Sequence, residues 1–520
     1  MKVRILSTSD VHGNFFPTNY ASQTDYHPFG YLKAASVIDQ IRQQNPDDII
    51  LYIENGDFLE GSPLTDYAYQ TKDAACGHYH QNFAKILNMM APDAVILGNH
   101  EFNYSPEYLE SCYQGLKAPI LAANIKEGPN SHIITAPYRI VEQKGVKIAI
   151  IGLTTQYIPH WEKPEHISGW HFEAAASAAK RTIAQFKNQV DLIVVAYHGG
   201  FEKDLTSGQP TEKLTGENEG YELLTNVPGI DALVTGHQHR KIATVKKQIP
   251  TTQPGFRGET VGMLTLDLDS NKHVAAASSE LLDVKDAPLK ADMMPLVNDL
   301  QSKVQTWLDQ PLAQIDGGMN ITDHMQARMF GHPYLALVNQ VQMDALGVDI
   351  SGTSLFNDEV RGLDEVVTMR NVMNSYVYPN TLAVEEISGQ DLYDALERSA
   401  SFFELNADGT VGISAEFSTP KVELYNYDYY SGIDYTIDIT KPKGQRITAL
   451  TYHNHPVAKD QKLKVVINQY RGVGGGNYPM FSADKMVKVD ENPVAGLIVA
   501  YLKKHDHLTA KQPTNLTFIK

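Results

Sequence analysis

Cysteine is almost absent: Cys76 and Cys112 are the only two among 520 residues. That excludes a disulfide framework; a single bridge between the two is open, and nothing in the sequence supports it. Positive charge is also scarce, with 44 Lys and Arg against 61 Asp and Glu and a formal net charge of −17. So acidic a chain has no basic surface with which to neutralise many phosphates, so no nucleic-acid polymer is expected as a partner. A small nucleotide substrate stays open, because a metal site can attract one phosphate locally. No apolar run approaches the roughly 18 residues of a membrane span. The start, "MKVRILSTSDVHG", offers only "VRIL" where a signal peptide needs an apolar core of roughly 7–15 residues. A cytoplasmic protein without a membrane partner is expected. Internal repeats and low-complexity tracts are missing too.

At 520 residues the chain exceeds a single core and implies two to four domains. Its 42% apolar and 20% charged residues are those of soluble globular proteins. In the first half, "VRILSTS", "DIILYIENGD", "DAVILGNHE", "VKIAIIGLTT", "DLIVVAYHGG" and "DALVTGHQH" read as buried strands. Between them, "FGYLKAASVIDQIRQQN", "HYHQNFAKILNMM" and "EAAASAAKRTIAQFKNQ" carry apolar residues at helical spacing. This alternation indicates an α/β layered domain. "RGETVGMLTLDLDS" alternates through Val261, Met263, Thr265 and Asp267 and predicts a closing antiparallel strand. "ADMMPLVNDLQSKVQTWLDQ" predicts an amphipathic helix near the domain joint. Beyond it, helices such as "SGQDLYDALERSASFF" mix with strands such as "IDYTIDIT", "RITALTYH" and "KLKVVINQY" in a Tyr-rich α+β half. The expected division is residues 1–285 for the first domain, 286–329 for a helical linker and 330–520 for the second.

The apolar runs of the first half end in metal-ligand side chains. "STSDVHG" gives Asp10 and His12, "IENGD" gives Asp57, and "LGNHE" gives Asn99 and His100. "VAYHGG" gives His198, and "TGHQH" gives His237 and His239. Singly, a strand-end Asp is more often a helix cap or turn former, and a His in a Gly-rich turn is more often structural. Jointly they point to one site, because the carboxyl ends of strands in a layered α/β domain gather along one edge. Asp, Asn and His without Cys suit Mn²⁺, Zn²⁺, Fe²⁺ or Mg²⁺. So many ligands exceed the roughly three that one catalytic ion takes from protein. They suit two ions about 3.5–4 Å apart that share a carboxylate, with Asp57 the natural bridge.

"DVHG", "NGDFLEGSP", "GNHEFNY", "YHGG" and "GHQHR" resemble the five motifs of calcineurin-like metallophosphoesterases. More narrowly, the chain is similar over essentially its whole length to the bacterial 5′-nucleotidase and 2′,3′-cyclic-nucleotide 2′-phosphodiesterase/3′-nucleotidase family. The resemblance implies a four-layered α/β/β/α sandwich followed by a separate α+β nucleotide-binding domain. It implies Asp10, His12, Asp57 and His239 around one divalent ion, and Asp57, Asn99, His198 and His237 around the other, the ions being Mn, Zn or Fe. It makes His100 the catalytic imidazole beside the leaving group, with a metal-bridging hydroxide attacking phosphorus in line. Glu101 has no ligand role in the family and reads as structural.

The departures from the family pattern concern substrate. Asn103 stands where 5′-nucleotidases carry an Asp that pairs with the catalytic His; lacking that charge, His100 is expected to bind its proton less tightly. "NHEFNY", "GSPLTDY", "NVPGIDALVTGH" and "YPNTL" are similar to the cyclic-phosphodiesterase branch. "VYPNTL" and "NQYRGVGGGNY" resemble substrate-stacking segments, implying Tyr378 and Tyr470 on either side of a base and Gly475 admitting a close ligand. "SGTSLFND", with Asn357, resembles a substrate-binding loop but lacks the "NGGIR" arginine. "GHPYLALVNQV" lacks the arginines that grip a 5′-phosphate, leaving Arg361 and Arg370 as stand-ins. The expected activity is 2′,3′-cyclic-nucleotide 2′-phosphodiesterase with 3′-nucleotidase action. The alternatives are a 5′-nucleotidase, a nucleotide-sugar or sulfur-ester hydrolase, and a metal-binding nucleotide sensor without turnover.

Overall fold

The computed structural model describes every residue except 75–77, 127–132, 134, 163, 187–188, 213, 379, 420–421 and 491. Cys76, and with it the open question of a bridge to the buried Cys112, lies outside the described residues, as does Pro379 of "VYPNTL". The chain divides into two units, Met1–Gln305 and Thr306–Lys520. That break falls inside the stretch read as a helical linker, which holds the helix Met294–Leu308 and then the strands Pro311–Asp316 and Met319–Asn320.

The first unit is built on β1 (Lys2–Thr8), β2 (Ile49–Glu54), β3 (Ala94–Ile96), β4 (Val146–Thr154), β5 (Leu192–His198), β6 (Ala232–Val234) and β7 (Thr260–Leu268). A seven-stranded sheet runs Val274–Asp283, β7, β1, β2, β3, Ile120–Leu121, Thr135–Ala136. A six-stranded sheet runs Lys241–Lys246, Ile249–Pro254, β6, β5, β4, Tyr138–Gln143. Ile5, Leu51, Ile53 and Ile96 of the first meet Ile148, Ile150, Val194 and Val234 of the second in one apolar cluster. The helices Ala175–Gln185 and Gly220–Asn226 cover the far face of the second sheet over Ile151, Val195 and Tyr197. The helix Tyr31–Gln44, burying Leu32, Ala35 and Ile38, packs on the first sheet at β7. The result is the α/β/β/α sandwich.

Sandwiching explains the sequence runs. Every residue of β5 is buried, so it is apolar through most of its length rather than alternating; each such aliphatic side chain contributes roughly 1.5–3 kcal/mol. β7 is antiparallel to β1, as predicted, and is buried along most of its length because Val274–Asp283 takes the sheet edge. β1, β2 and β3 are mutually parallel, as are β4, β5 and β6. Within each sheet, then, the carboxyl ends of the ligand-bearing strands share one edge.

The second unit centres on a five-stranded sheet ordered Asp428–Ser431, Ile350–Ser354, Lys462–Asn468, Leu382–Ser388, Met486–Asp490. Its helices start where the sequence supplies caps. Ser388 and Asp391 form a reciprocal capping box at the helix Gly389–Ala400, and Gly347, at φ 70°, ends Pro333–Leu346. Tyr427, Tyr429, Tyr430 and Tyr435 are buried in its core, which accounts for much of the tyrosine in this half. No helix among the described residues is long and apolar enough to cross a membrane.

Candidate metal centre

The predicted ligands leave the strands through backbone that side chains seldom adopt. Asp10, His12, Asp57, His237 and His239 all have left-handed φ, between 51° and 70°. A non-glycine residue there costs on the order of 1–3 kcal/mol, so each of these loops carries strain. Cross-loop hydrogen bonds hold it in place: Asp10 N donates to Gly56 O (2.9 Å), His12 N to Asp57 O (2.7 Å), and His237 N to Asp10 Oδ1 (2.9 Å). Gly98 is required for closeness, since a Cβ there would lie 2.2 Å from Asp57 Oδ1.

Among the described residues the side chains converge in three overlapping groups, and one of them, His12–Asp57–His100, links the other two. In each of Asp10–His12–His239 and Asp57–His198–His237, one ligand atom per residue lies within 4.8 Å of the others. Asn99 Oδ1 joins the second, 2.8 Å from His237 Nδ1. Asp57 Oδ2 stands 3.8 Å from His12 Nε2 and 3.1 Å from His198 Nε2, so one carboxylate oxygen touches both groups.

Neighbouring acceptors select which imidazole nitrogen faces inward. His12 Nδ1 donates to Glu60 O (2.8 Å) and His198 Nδ1 to Asn55 O (2.7 Å), turning both Nε2 atoms to the centre. His237 is reversed: Nε2 donates to Glu217 Oε1 (3.0 Å) and Nδ1 faces Asn99. Such outer acceptors orient ligating histidines and set their tautomers. His198 Nε2 is fully buried without a hydrogen-bond partner, and His12 Nε2 lies 3.0 Å from His239 Nε2. An orphaned buried nitrogen and two facing imidazoles fit divalent cations of the borderline class.

Glu101 is the anchor of this arrangement. Its carboxylate accepts from Gly98 N (2.7 Å), Asp57 N (2.8 Å), Phe58 N (2.7 Å) and Leu59 N (3.2 Å), tying the loop after β2 to the loop after β3. Burial, then Asp57, push its carboxyl up, while the amide donors and His198 pull it back. Burial works against His198 as a cation, but Asp57 and Asp10 hold its imidazole up at about 10.

His100 departs from expectation. Its Nδ1 lies 2.5 Å from Asn103 Oδ1 and 2.9 Å from Glu60 Oε2. The charge that Asn103 lacks is therefore present, supplied from the loop after β2. Burial alone would lower the imidazole, but Asp57 and Glu60 outweigh it and hold His100 well above the ordinary range. Glu60 and Glu217 are the residues that sequence reasoning missed. Glu60 had a signal, an acid inside "NGDFLEGSP", but nothing in the sequence says which imidazole it meets.

The second-unit residues are described by themselves. Tyr378 and Tyr470 are 42% and 46% exposed. Burial, followed by Glu423, Tyr470 and Tyr378, pushes the Tyr425 hydroxyl up. Phe356 packs edge-on against Tyr378 at 5.0 Å. Gly475 lets the chain pass Tyr470, where a Cβ would lie 2.7 Å from the ring. Asn357 closes its own turn, its Oδ1 accepting from Glu359 N and Val360 N. Arg370 is buried with Nε 2.7 Å from Asp309, which removes it as a stand-in phosphate grip; Arg361 is exposed.

Family models match both units: calcineurin-like phosphoesterase over residues 3–241 and the 5′-nucleotidase C-terminal domain over residues 315–483. The first unit with its His, Asp and Asn cluster is thus a calcineurin-like metallophosphoesterase domain. A Staphylococcus aureus structure, provisionally described as a 5′-nucleotidase and solved with alpha-ketoglutarate, is 39% identical with a TM-score of 0.88 over 100% of both chains. With this agreement along its whole length, the chain belongs to the 5′-nucleotidase family of these two-metal phosphoester hydrolases. Among curated relatives, the 2′,3′-cyclic-nucleotide 2′-phosphodiesterase/3′-nucleotidase of Yersinia enterocolitica is 26% identical over 99% of this chain and 87% of its own. The trifunctional nucleotide phosphoesterase YfkN of Bacillus subtilis is 27% identical over 93% of this chain, which spans only 36% of that longer protein.

Proposed function

We propose that this protein hydrolyses nucleotide phosphoesters, with 2′,3′-cyclic nucleotides opened at the 2′-oxygen and the 3′-monoester product dephosphorylated at the same centre. The observation that carries the reading is the pair of ligand groups sharing Asp57 Oδ2, with His100 beside them and its Nδ1 occupied. Asp10, His12, Asp57 and His239 would hold one ion and Asp57, Asn99, His198 and His237 the other; Mn, Zn and Fe suit these donors. When bound, such a pair activates water and neutralises phosphoryl oxygens. His100, through Nε2, protonates the leaving oxygen as the P–O bond breaks. Tyr378 and Tyr470 grip the base, for which stacking supplies about 1–3 kcal/mol.

The preference for cyclic diesters rests on the anion count. A cyclic diester carries one negative charge and a 5′-monoester nearly two, and Arg370 is committed to Asp309. A missing charge-assisted bond disadvantages the monoester by about 1.5–3 kcal/mol, or about ten- to a hundredfold in kcat/KM. A second reading, hydrolysis of 5′-monophosphates, is favoured by the provisional description of the Staphylococcus aureus relative. Rates on 2′,3′-cAMP and 5′-AMP under identical Mn²⁺ and pH decide between them: faster 5′-AMP hydrolysis rejects the cyclic preference.

A further inference from the structure

The surroundings of His100 carry one inference beyond the ligand set. Its Nδ1 faces two oxygens, Asn103 Oδ1 at 2.5 Å and Glu60 Oε2 at 2.9 Å. The Asn103 amide is not free to turn over, because its Nδ2 donates to Glu162 Oε2 at 2.7 Å. Glu162 is in turn paired through Oε1 with His166 Nδ1 at 2.8 Å. Both neighbours of His100 Nδ1 are therefore acceptors, and the proton must sit on Nδ1. Glu60 is the only one of the two that carries charge, and it is 6% exposed, so its field at the imidazole is little screened by water. The same residue's backbone oxygen fixes His12 at 2.8 Å. Glu60 thus lies between a candidate ligand and the catalytic imidazole.

We propose that Glu60 is the positioning carboxylate of His100, replacing from the loop after β2 the charge that Asn103 does not carry. It holds Nδ1–H toward the protein and leaves Nε2 directed away from it. In the reaction, the oxygen of water bonds to phosphorus and its proton is lost to solvent. The bond from phosphorus to the leaving oxygen breaks with its electron pair, and that oxygen takes the Nε2 proton. His100 ends neutral, with Nδ1–H still on Glu60. Asn103, locked by Glu162, serves as a neutral second acceptor that keeps the ring from rotating. The proposal rests on the reading that His100 faces the leaving group, but not on the identity of the nucleotide.

The test is therefore a leaving-group series of synthetic diesters, methyl p-nitrophenyl phosphate to methyl phenyl phosphate, on the metal-loaded enzyme. Glu60→Gln should lower kcat about ten- to a hundredfold on methyl phenyl phosphate, whose leaving oxygen needs the proton, the scale of general acid catalysis at its lower end. On methyl p-nitrophenyl phosphate the loss should stay within about threefold, because that anion leaves unprotonated. Bound metal by elemental analysis should match the parent. Adding Asn103→Asp to Glu60→Gln should restore most of the phenyl-ester rate by returning a carboxylate to Nδ1. A uniform loss across the series, or none, overturns the proposal. So does metal loss in Glu60→Gln that Asn103→Asp does not repair, since Glu60 would then serve His12 alone. If the parent cleaves the aryl diesters but no nucleotide, the nucleotide reading fails while this test still stands.

Discussion

Glu101→Gln gives the sharpest test of how the metal loops are held. The carboxylate receives two backbone amides on each oxygen: Phe58 and Leu59 on Oε1, Asp57 and Gly98 on Oε2. An amide side chain presents one oxygen and one NH₂, so two backbone donors lose their acceptor and face another donor. Hydrogen bonds to a charged group contribute about 1.5–3 kcal/mol each, which sets a gross loss of about 3–6 kcal/mol. Part is returned, because burial and Asp57 already disfavour the Glu101 anion and Gln removes that buried charge. The net expectation is about 2–4 kcal/mol of local destabilisation, and more for Glu101→Ala, which strands all the donors. The units of a chain this size need not unfold together, so the assay is hydrogen exchange read on peptides over residues 54–62 and 94–103. Protection there should fall by about thirty- to several-hundredfold, while peptides from the second unit stay unchanged. Unaltered exchange in those two loops would refute the reasoning, and an Ala variant milder than Gln would refute the donor–donor part of it.

The other expectations follow from the same contacts. Asp57→Ala removes the oxygen that touches both ligand groups, so elemental analysis should find both ions lost together; two tightly held ions would defeat the shared-ligand assignment. Tyr470→Ala should raise KM for nucleotides about five- to a hundredfold while leaving bis(p-nitrophenyl) phosphate hydrolysis nearly unchanged; equal losses on both would make the ring structural. Asp66, half-buried, has its carboxyl pushed up to about 7 by burial and then by Glu60. The native state keeps a proton that the unfolded state, titrating near 3.8, gives up, so this contribution is full below pH 3.8 and lost as pH rises through about 7. Asp66→Asn should flatten that slope and exceed the parent's stability at pH 8 by roughly 1–3 kcal/mol, discounted for partial exposure. An undiminished loss of stability between pH 5 and 8 in the variant, followed by thermal unfolding, would exclude Asp66 as its source.

Legibility in the sequence followed the range of the interaction. The strands announced themselves because a sheet sandwiched between layers demands apolar side chains on both faces; the runs in β4 and β5 have no other use. The candidate ligands were equally legible, since parallel strands must present their carboxyl ends on one edge whatever the details of packing. Asp10, Asp57 and His198 could be gathered into one site before any distance was known. What stayed hidden were the contacts that carboxylates outside the ligand set make from one loop to another. The Glu217 side chain reaches His237 from a loop that no motif marks, and Glu101 read simply as structural although it joins two ligand loops.

His100 shows most clearly where local reading stops. Counting charges along the segment from 98 to 103, Asn103 implies a weakened hold on the imidazole proton, and that inference is sound for an isolated loop. The fold brings the loop after β2 against it, because β2 and β3 are parallel neighbours in register from Ile53 and Ala94. Their continuations must run side by side, and Asp57 Oδ1 accepts from His100 N as they do so. Glu60, three residues beyond Asp57, is thereby delivered to Nδ1. A carboxylate thus reaches His100 from across the sheet rather than along the chain, so Asn103 by itself does not report the charge around the imidazole. The variants that exchange the carboxylate between positions 60 and 103 ask whether the imidazole responds to the charge or to its address.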